Sequence, residues 1–319
     1  TSTSTMRRYS DLTAFSSLYP MATKNRNRSR RQSGRERGPR YVAPVLDPNW
    51  QNPYLPSAQE RQSNERAAVR YAIRKRTPQS IAVGVVVAGL LAGIVLTPFL
   101  AIAAVAVAGL YAFDLRKVEQ RIEQRAGSLG SVFLAEFKAG GTTKDRLRLV
   151  TVLERLTATF GVDNVSAFIV DDPSYNACLV PSGENYSLFI TSAAMKDFEL
   201  IEVEGVVAHL LARVRMGLSV RQGLSAVEDL DAKSRASLAG TGMAYRADEV
   251  AAAAIRYPLG IAGALDRCAR HRNVKGSFVS TPLFERARWV FFDVHADRFE
   301  ADFSDNDDVS LRALALKEW

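Results

Sequence analysis

Between Ser80 and Phe113 the chain runs for 34 residues without a charged side chain. As a single α-helix this run would be about 51 Å long, against a hydrocarbon core of roughly 30 Å. Thr97-Pro98 falls at its middle, where the proline ring removes a hydrogen bond and disfavours helical geometry in the residue before it. The run therefore predicts a hairpin of two short apolar helices, at about 81–96 and 99–113. Arg70, Arg74, Lys75 and Arg76 precede it, and Arg116, Lys117, Arg121 and Arg125 follow it. Positive charge on both flanks predicts a transmembrane hairpin over 79–113, integral to the cytoplasmic membrane, with both termini and the folded domain on the cytoplasmic side. A re-entrant hairpin, one strongly tilted helix and a buried soluble hairpin are the alternatives. Gly89 and Gly93 have the small-xxx-small spacing that lets apolar helices approach closely, serving either an oligomer or the packing of the two arms.

The net charge of +8 is unevenly placed. Residues 1–78 carry 16 Lys+Arg against 5 Asp+Glu, leaving 26 against 29 for the remaining residues. The first tract is rich in Arg, Asn, Ser, Gln and Pro and has no hydrophobic period, so it is expected to be a disordered basic arm. Its arginine-rich stretch, residues 24–40, suits contacts with anionic lipid or nucleic acid. No aromatic residues interleave that stretch for base stacking and an apolar run follows it, which favours a solvated tail that sets membrane orientation. Cys178 and Cys268 are the only cysteines, too few and too far apart for a disulfide framework or a cysteine-rich metal site.

Downstream, Asp114–Arg125 reads as a connecting helix within a linker region, 114–143. Lys144–Phe160 carries apolar residues at Leu147, Val150, Leu153, Leu156 and Phe160, an amphipathic helix. Val165–Val170 and Tyr186–Ile190 read as strands. Leu200–Val214 reads as a helix whose inner stripe is Leu200, Val203, Val207, Leu211 and Val214. Ala247–Tyr257, Ile261–Ala269 and Pro282–Val294 read as further helices. The fold class expected is α+β: mostly helical, with a small antiparallel sheet. Residues 144–294 form the folded domain, and 295–319 an acidic, solvated tail.

Within that domain five stretches resemble, in order, the M48 membrane metallopeptidases (the HtpX-like and CAAX-prenyl-protease-like enzymes). Val170-Asp-Asp-Pro-Ser-Tyr-Asn176-Ala177-Cys178-Leu is similar to the stretch ending in N-A-F or N-A-C on the family's edge strand beside the substrate groove. Leu188-Phe-Ile-Thr-Ser is similar to the next strand. Glu202–Arg213 follows E-x-x-x-V-x-A-H-E-x-x-H, and Ala244–Asp248 resembles E-x-x-A-D. Thr281–Arg286 is similar to H-P-P-L-x-E-R. The resemblance implies a zincin-like domain with a peptide groove along Asn176, Ala177 and Cys178.

The departures fall on the chemistry. His209 keeps the first zinc-ligand position, Leu210 replaces the general base, Arg213 the second ligand, Ala244 the third, and Ser280 a further histidine. Asp248 keeps its supporting place. One imidazole grips zinc weakly, a guanidinium cannot become a ligand, and leucine cannot accept a proton. These positions imply a membrane-anchored pseudopeptidase with no cofactor, a scaffold or regulator that binds a peptide or protein partner at the former groove and meets the lipid bilayer. The alternatives are an active zinc metalloendopeptidase with atypical ligands and a basic-arm tether for lipid or nucleic acid. Asp248 is expected to pair with Arg213 or Arg246, guanidinium charge standing in for metal charge. Asp293-Val-His295-Ala-Asp297 is metal-like in composition, but it reads as a solvated helix end. His271 lies in a basic turn with no carboxylate partner evident. Cys178 with His209 is the one nucleophile–base pair the sequence allows.

Overall fold

The structure, a computed structural model, describes residues 52–92, 99–272, 274–295 and 307–319. It is mostly helical around a small sheet, the α+β class expected. Helix α5 (Thr143–Phe160) opens on a capping box, Thr142 with Asp145, and ends at Gly161 in the left-handed region (φ 61°). Its buried face is Leu149, Val152, Leu153, Leu156 and Phe160, while Leu147 and Val150 are exposed. Two apolar stripes overlap in this helix, and the sheet takes the one displaced by two residues from the expected start.

Strands β1 (Val165–Val170), β2 (Ala177–Ser182) and β3 (Asn185–Thr191) lie in the order β1-β3-β2. The sheet is mixed: β1 runs parallel to β3 and β2 antiparallel to it, which corrects the purely antiparallel expectation. Only the β2–β3 link is a tight hairpin, through Gly183 at φ 63°. The main core fills the space between α5, the sheet and helix α7 (Leu200–Arg215). Helices α10 (Met243–Ile255) and α11 (Pro258–Arg270) close over α7. Gly205 makes the α7–α11 approach possible, since a Cβ there would meet Ile261 N at 2.6 Å.

Four sequence expectations are corrected here. The basic arm does not extend to residue 78, because α1 (Ala58–Lys75) is a capped helix docked on the domain. Asn64 is buried: its amide donates to the Met216 carbonyl (2.8 Å), and its oxygen accepts from Arg221 (3.0 Å). Arg246 reaches both oxygens of Glu60 at 3.2 Å. The segment after Pro282 is not one helix to Val294. Helix α12 (Pro282–Ala287) is only six residues long, a short 3₁₀ turn (Arg288–Val290) follows, and Phe292 then donates its N–H to the Ala177 carbonyl (2.8 Å). Nor is the C-terminal tail solvated, because α13 (Val309–Glu318) packs on α11 with Arg312 fully buried.

The fourth correction concerns the apolar run. It forms α2 (Thr77–Ala92) and α3 (Phe99–Arg116), packed on each other, and α4 (Val118–Glu136) follows. No helix of the described residues is long and apolar enough to cross a membrane. Helix α2, with 16 residues, is about 24 Å long. The last turn of α3 is committed to ion pairs of Asp114 with Arg76 and Arg121. The transmembrane hairpin and the integral cytoplasmic-membrane placement are both overturned, and among the described residues the flanking charges have no spanning helix to orient. A Cβ on Gly89 would meet nothing within 4 Å, so that glycine does not serve α2–α3 packing. Gly93 and residues 24–40 lie outside the described residues.

Asn64→Ala would leave the Met216 carbonyl and the Arg221 guanidinium without their partner. We expect a loss of about 1–3 kcal/mol in urea unfolding and faster amide exchange across α1. An unchanged midpoint would show that α1 does not depend on this bond.

Candidate functional site

The first buried polar centre is assembled by three helices. His209 comes from the middle of α7, Asp248 from α10 and Arg312 from α13, and none of the three side chains is exposed. Asp248 Oδ1 lies 2.6 Å from His209 Nδ1 and accepts from Arg312 Nη2 at 3.0 Å, while Oδ2 accepts from Arg312 Nε at 2.6 Å. Arg312 Nη1 donates to the Phe292 carbonyl (3.0 Å), and the Phe292 ring meets the imidazole edge-on at 5.1 Å. The arginine thus grips the carboxylate side-on and seals the centre with the segment that follows α12.

Electrostatics fix the protonation states. Burial drives the His209 pKa down to about 3, opposed by Asp248 and reinforced by Arg213 and Arg312. Burial pushes Asp248 the other way, but the Arg312 charge and the donors on it prevail and hold its pKa at about 2. A carboxylate only accepts, so the neutral imidazole carries its proton on Nδ1 and its Nε2 keeps a bare lone pair. That Nε2 is buried and has no hydrogen-bond partner among the described residues. One turn along α7, Arg213 Nη1 donates to the carbonyls of Trp289 (3.2 Å) and Phe291 (2.9 Å), and its Nε has no partner among the described residues. Burial lowers the Arg213 pKa to about 10, so it stays cationic at neutral pH.

The structure thus brings together His209, Arg213 and Asp248. Ala244 lies one turn before Asp248 on α10, buried and without a donor atom, and Leu210 is wholly in the apolar core. The expected pairing of Asp248 is corrected: its cation is Arg312, while Arg246 pairs with Glu60 and Glu249. Asp307 is a second residue that the sequence left unassigned. It accepts from Gly242 N at 2.7 Å, capping the start of α10 near the same centre, and burial raises its pKa.

Would zinc fit? His209 Nε2 is the right kind of donor, and it stands alone. Among the described residues no group of three His, Cys, Asp or Glu could hold a metal ion. Two buried guanidiniums oppose a divalent cation at this spot, and the carboxylate is already spent on one of them. The residues present do not fit the ion.

The groove residues are buried as well. Asn176 Nδ2 donates to the Asp293 carbonyl (2.8 Å) and its Oδ1 accepts from Asp293 N (3.1 Å), while Cys178 faces Phe291 in an antiparallel bridge. Phe291 to Asp293 therefore lie on the outer edge of β2, where an added strand would lie. Burial raises the Cys178 thiol well above its ordinary pKa, so it is protonated at neutral pH, and His209 is engaged with Asp248. Asp293 and His295 are also buried, against the expected solvated helix end, and Asp297 lies outside the described residues. His271 stacks on Tyr175 at 4.2 Å, with Nε2 3.1 Å from the Pro173 carbonyl oxygen. Ser280 is exposed at the end of a 3₁₀ turn.

Compared with protein-family models, with curated proteins and with solved structures, the chain finds no match. No family model lends the M48 resemblance support.

The centre makes stability depend on pH. His209 in the unfolded chain takes up a proton as pH falls through about 6.5, and the folded site refuses it until about 3. Stability is therefore full above that window and lost as pH falls through it. Asp248 adds to the same trend, its share lost as pH falls from 3.8 toward about 2. For one proton the slope is on the order of 1 kcal/mol per pH unit. His209→Gln is expected to flatten urea-unfolding stability between pH 6.5 and 4 by that amount; an unaltered slope would contradict the assignment.

Proposed function

We propose that this chain is a pseudopeptidase: a zincin-like domain of the M48 type that has kept its frame and given up hydrolysis. One observation carries the reading. The carboxylate at the family's supporting position, Asp248, still orients the imidazole at the first ligand position, and a guanidinium, Arg312, is bound where it meets both. Positive charge on that carboxylate is thereby supplied by the protein itself. A helix bearing His209 and Arg213 four residues apart, crossed by a helix bearing Asp248, with the Asn176–Cys178 edge strand beside them, supports the frame.

The catalytic parts are missing in kind. Leu210 has no proton acceptor to offer an attacking water, and Arg213 and Ala244 offer no ligand. The role left is binding, as a scaffold or regulator of another protein. The β2 edge is not open for this in the described state, because residues 291–293 take it in cis. A partner peptide that adds there by strand addition has first to displace them.

Metal analysis after dialysis against zinc tests the reading. The chain is expected to retain far less than one zinc and to cut no peptide. Near-stoichiometric zinc that is lost in His209→Ala, with chelator-sensitive cleavage, would overturn it. The converse variant, Arg213→His with Ala244→Glu and Arg312→Ala, restores three ligands and is expected to gain zinc. Failure of a folded triple variant to do so would argue against the frame.

A further inference from the structure

A second feature lies away from this centre and is independent of it. Helices α2 and α3 are apolar on every side, and yet they are not buried. Ile81, Val85, Val86 and Leu91 on α2 and Ile102, Val105 and Leu110 on α3 are each 48% exposed or more. Helices of this kind ordinarily sit in a core or in lipid, and so large a contiguous apolar surface marks a contact. At its foot, between α1, α4 and α8 (Ser219–Val227), lies a cavity of about 350 Å³. Tyr71, Lys75, Arg76, Gln79, Arg121 and Arg125 line it, with Glu228.

The cations there outnumber their partners. Lys75 and Arg125 share Glu228, and Arg76 and Arg121 share Asp114, so four positive charges meet two negative ones, a surplus of two. The border between the apolar and the cationic parts is sharp. Ser80 and Tyr111 are hydrogen-bonded across it, and the Lys117 amine sits 4.4 Å above the Phe113 ring, its stem along apolar surface and its charge beyond.

We infer that α2, α3 and the cationic cavity together form a peripheral docking site for an anionic phospholipid surface, the helices resting against the apolar layer and a lipid phosphate entering the cavity. No helix need cross the layer: apolar area and headgroup charge suffice for interfacial binding. Charge complementarity singles out the lipid, since the surplus positive charge suits anionic headgroups and the apolar helices suit the acyl chains beside them.

Flotation of the full chain with vesicles tests this. We expect at least about tenfold more protein on vesicles of equal phosphatidylcholine and phosphatidylglycerol than on phosphatidylcholine alone, with the difference shrinking in high salt. Val85→Asp with Val105→Asp, and separately Lys75→Glu with Arg125→Glu, are each expected to cut that binding about tenfold or more. Val85 and Val105 are largely exposed, so the melt of that variant should stay close to the parent, while Lys75→Glu with Arg125→Glu strips Glu228 of both cations and should melt somewhat lower but still as a folded protein. Equal binding to neutral and anionic vesicles would overturn the role of the cavity. Anionic binding that survives both double variants would place the contact elsewhere in the chain. Binding of inorganic phosphate without vesicle binding, or a concentration-dependent dimer that ignores lipid, would likewise overturn the proposal.

Discussion

A carboxylate with no access to water cannot be left alone, and Asp248 organises the structure around it. Desolvating an unpaired carboxylate costs several kcal/mol, and the cost is offset only when partners fill its lone-pair directions. His209 fills one and Arg312 two. Because those partners come from α7 and α13, the pairing ties the first helix of the centre to the last helix of the described chain. Removing either partner leaves a buried charge, a loss of a different order from that of a surface ion pair.

The same centre explains the path of the chain after α12. Arg312 and Arg213 both need acceptors beyond what Asp248 provides, and they find them in the carbonyls of Trp289, Phe291 and Phe292. Those carbonyls are presented only because the chain leaves helical geometry after Val290 and runs along β2. Two cations therefore pin the segment that occupies the edge strand. One set of hydrogen bonds thus satisfies both arginines and holds residues 291–293 on the β2 edge.

Much of this was legible in the sequence where burial follows a simple period. The bounds of β1 match as read, and α7 extends one residue past its expected end, because both are apolar on the face that packs. Helix α1 was read as an arm because the residues it buries are Asn64 and Ala68, and it docks by hydrogen bonds more than by an apolar stripe. Helix α13 was lost in the acidic composition around it. The signal was a lone arginine among Val309, Leu311, Ala313 and Leu316, a charge placed where only a buried partner makes sense. Asp248 was identified from the motif frame, but its partner was sought nearby in sequence, whereas Arg312 lies 64 residues on. Spacing rules carry no information at that range. The charge-free run was read from its length, its central proline and its basic flanks, whereas the ion pairs of Asp114 tie the last turn of α3 to the polar foot.

Nitrogen-resolved NMR of the His209 imidazole tests the central claim most directly. A ring held by Asp248 and faced by guanidinium should stay neutral, with the proton on Nδ1 and a bare Nε2, from about pH 8 down to about pH 5, and zinc should leave its signals unmoved. An imidazole that titrates near its ordinary range, or whose Nε2 shifts on addition of zinc, would contradict the account.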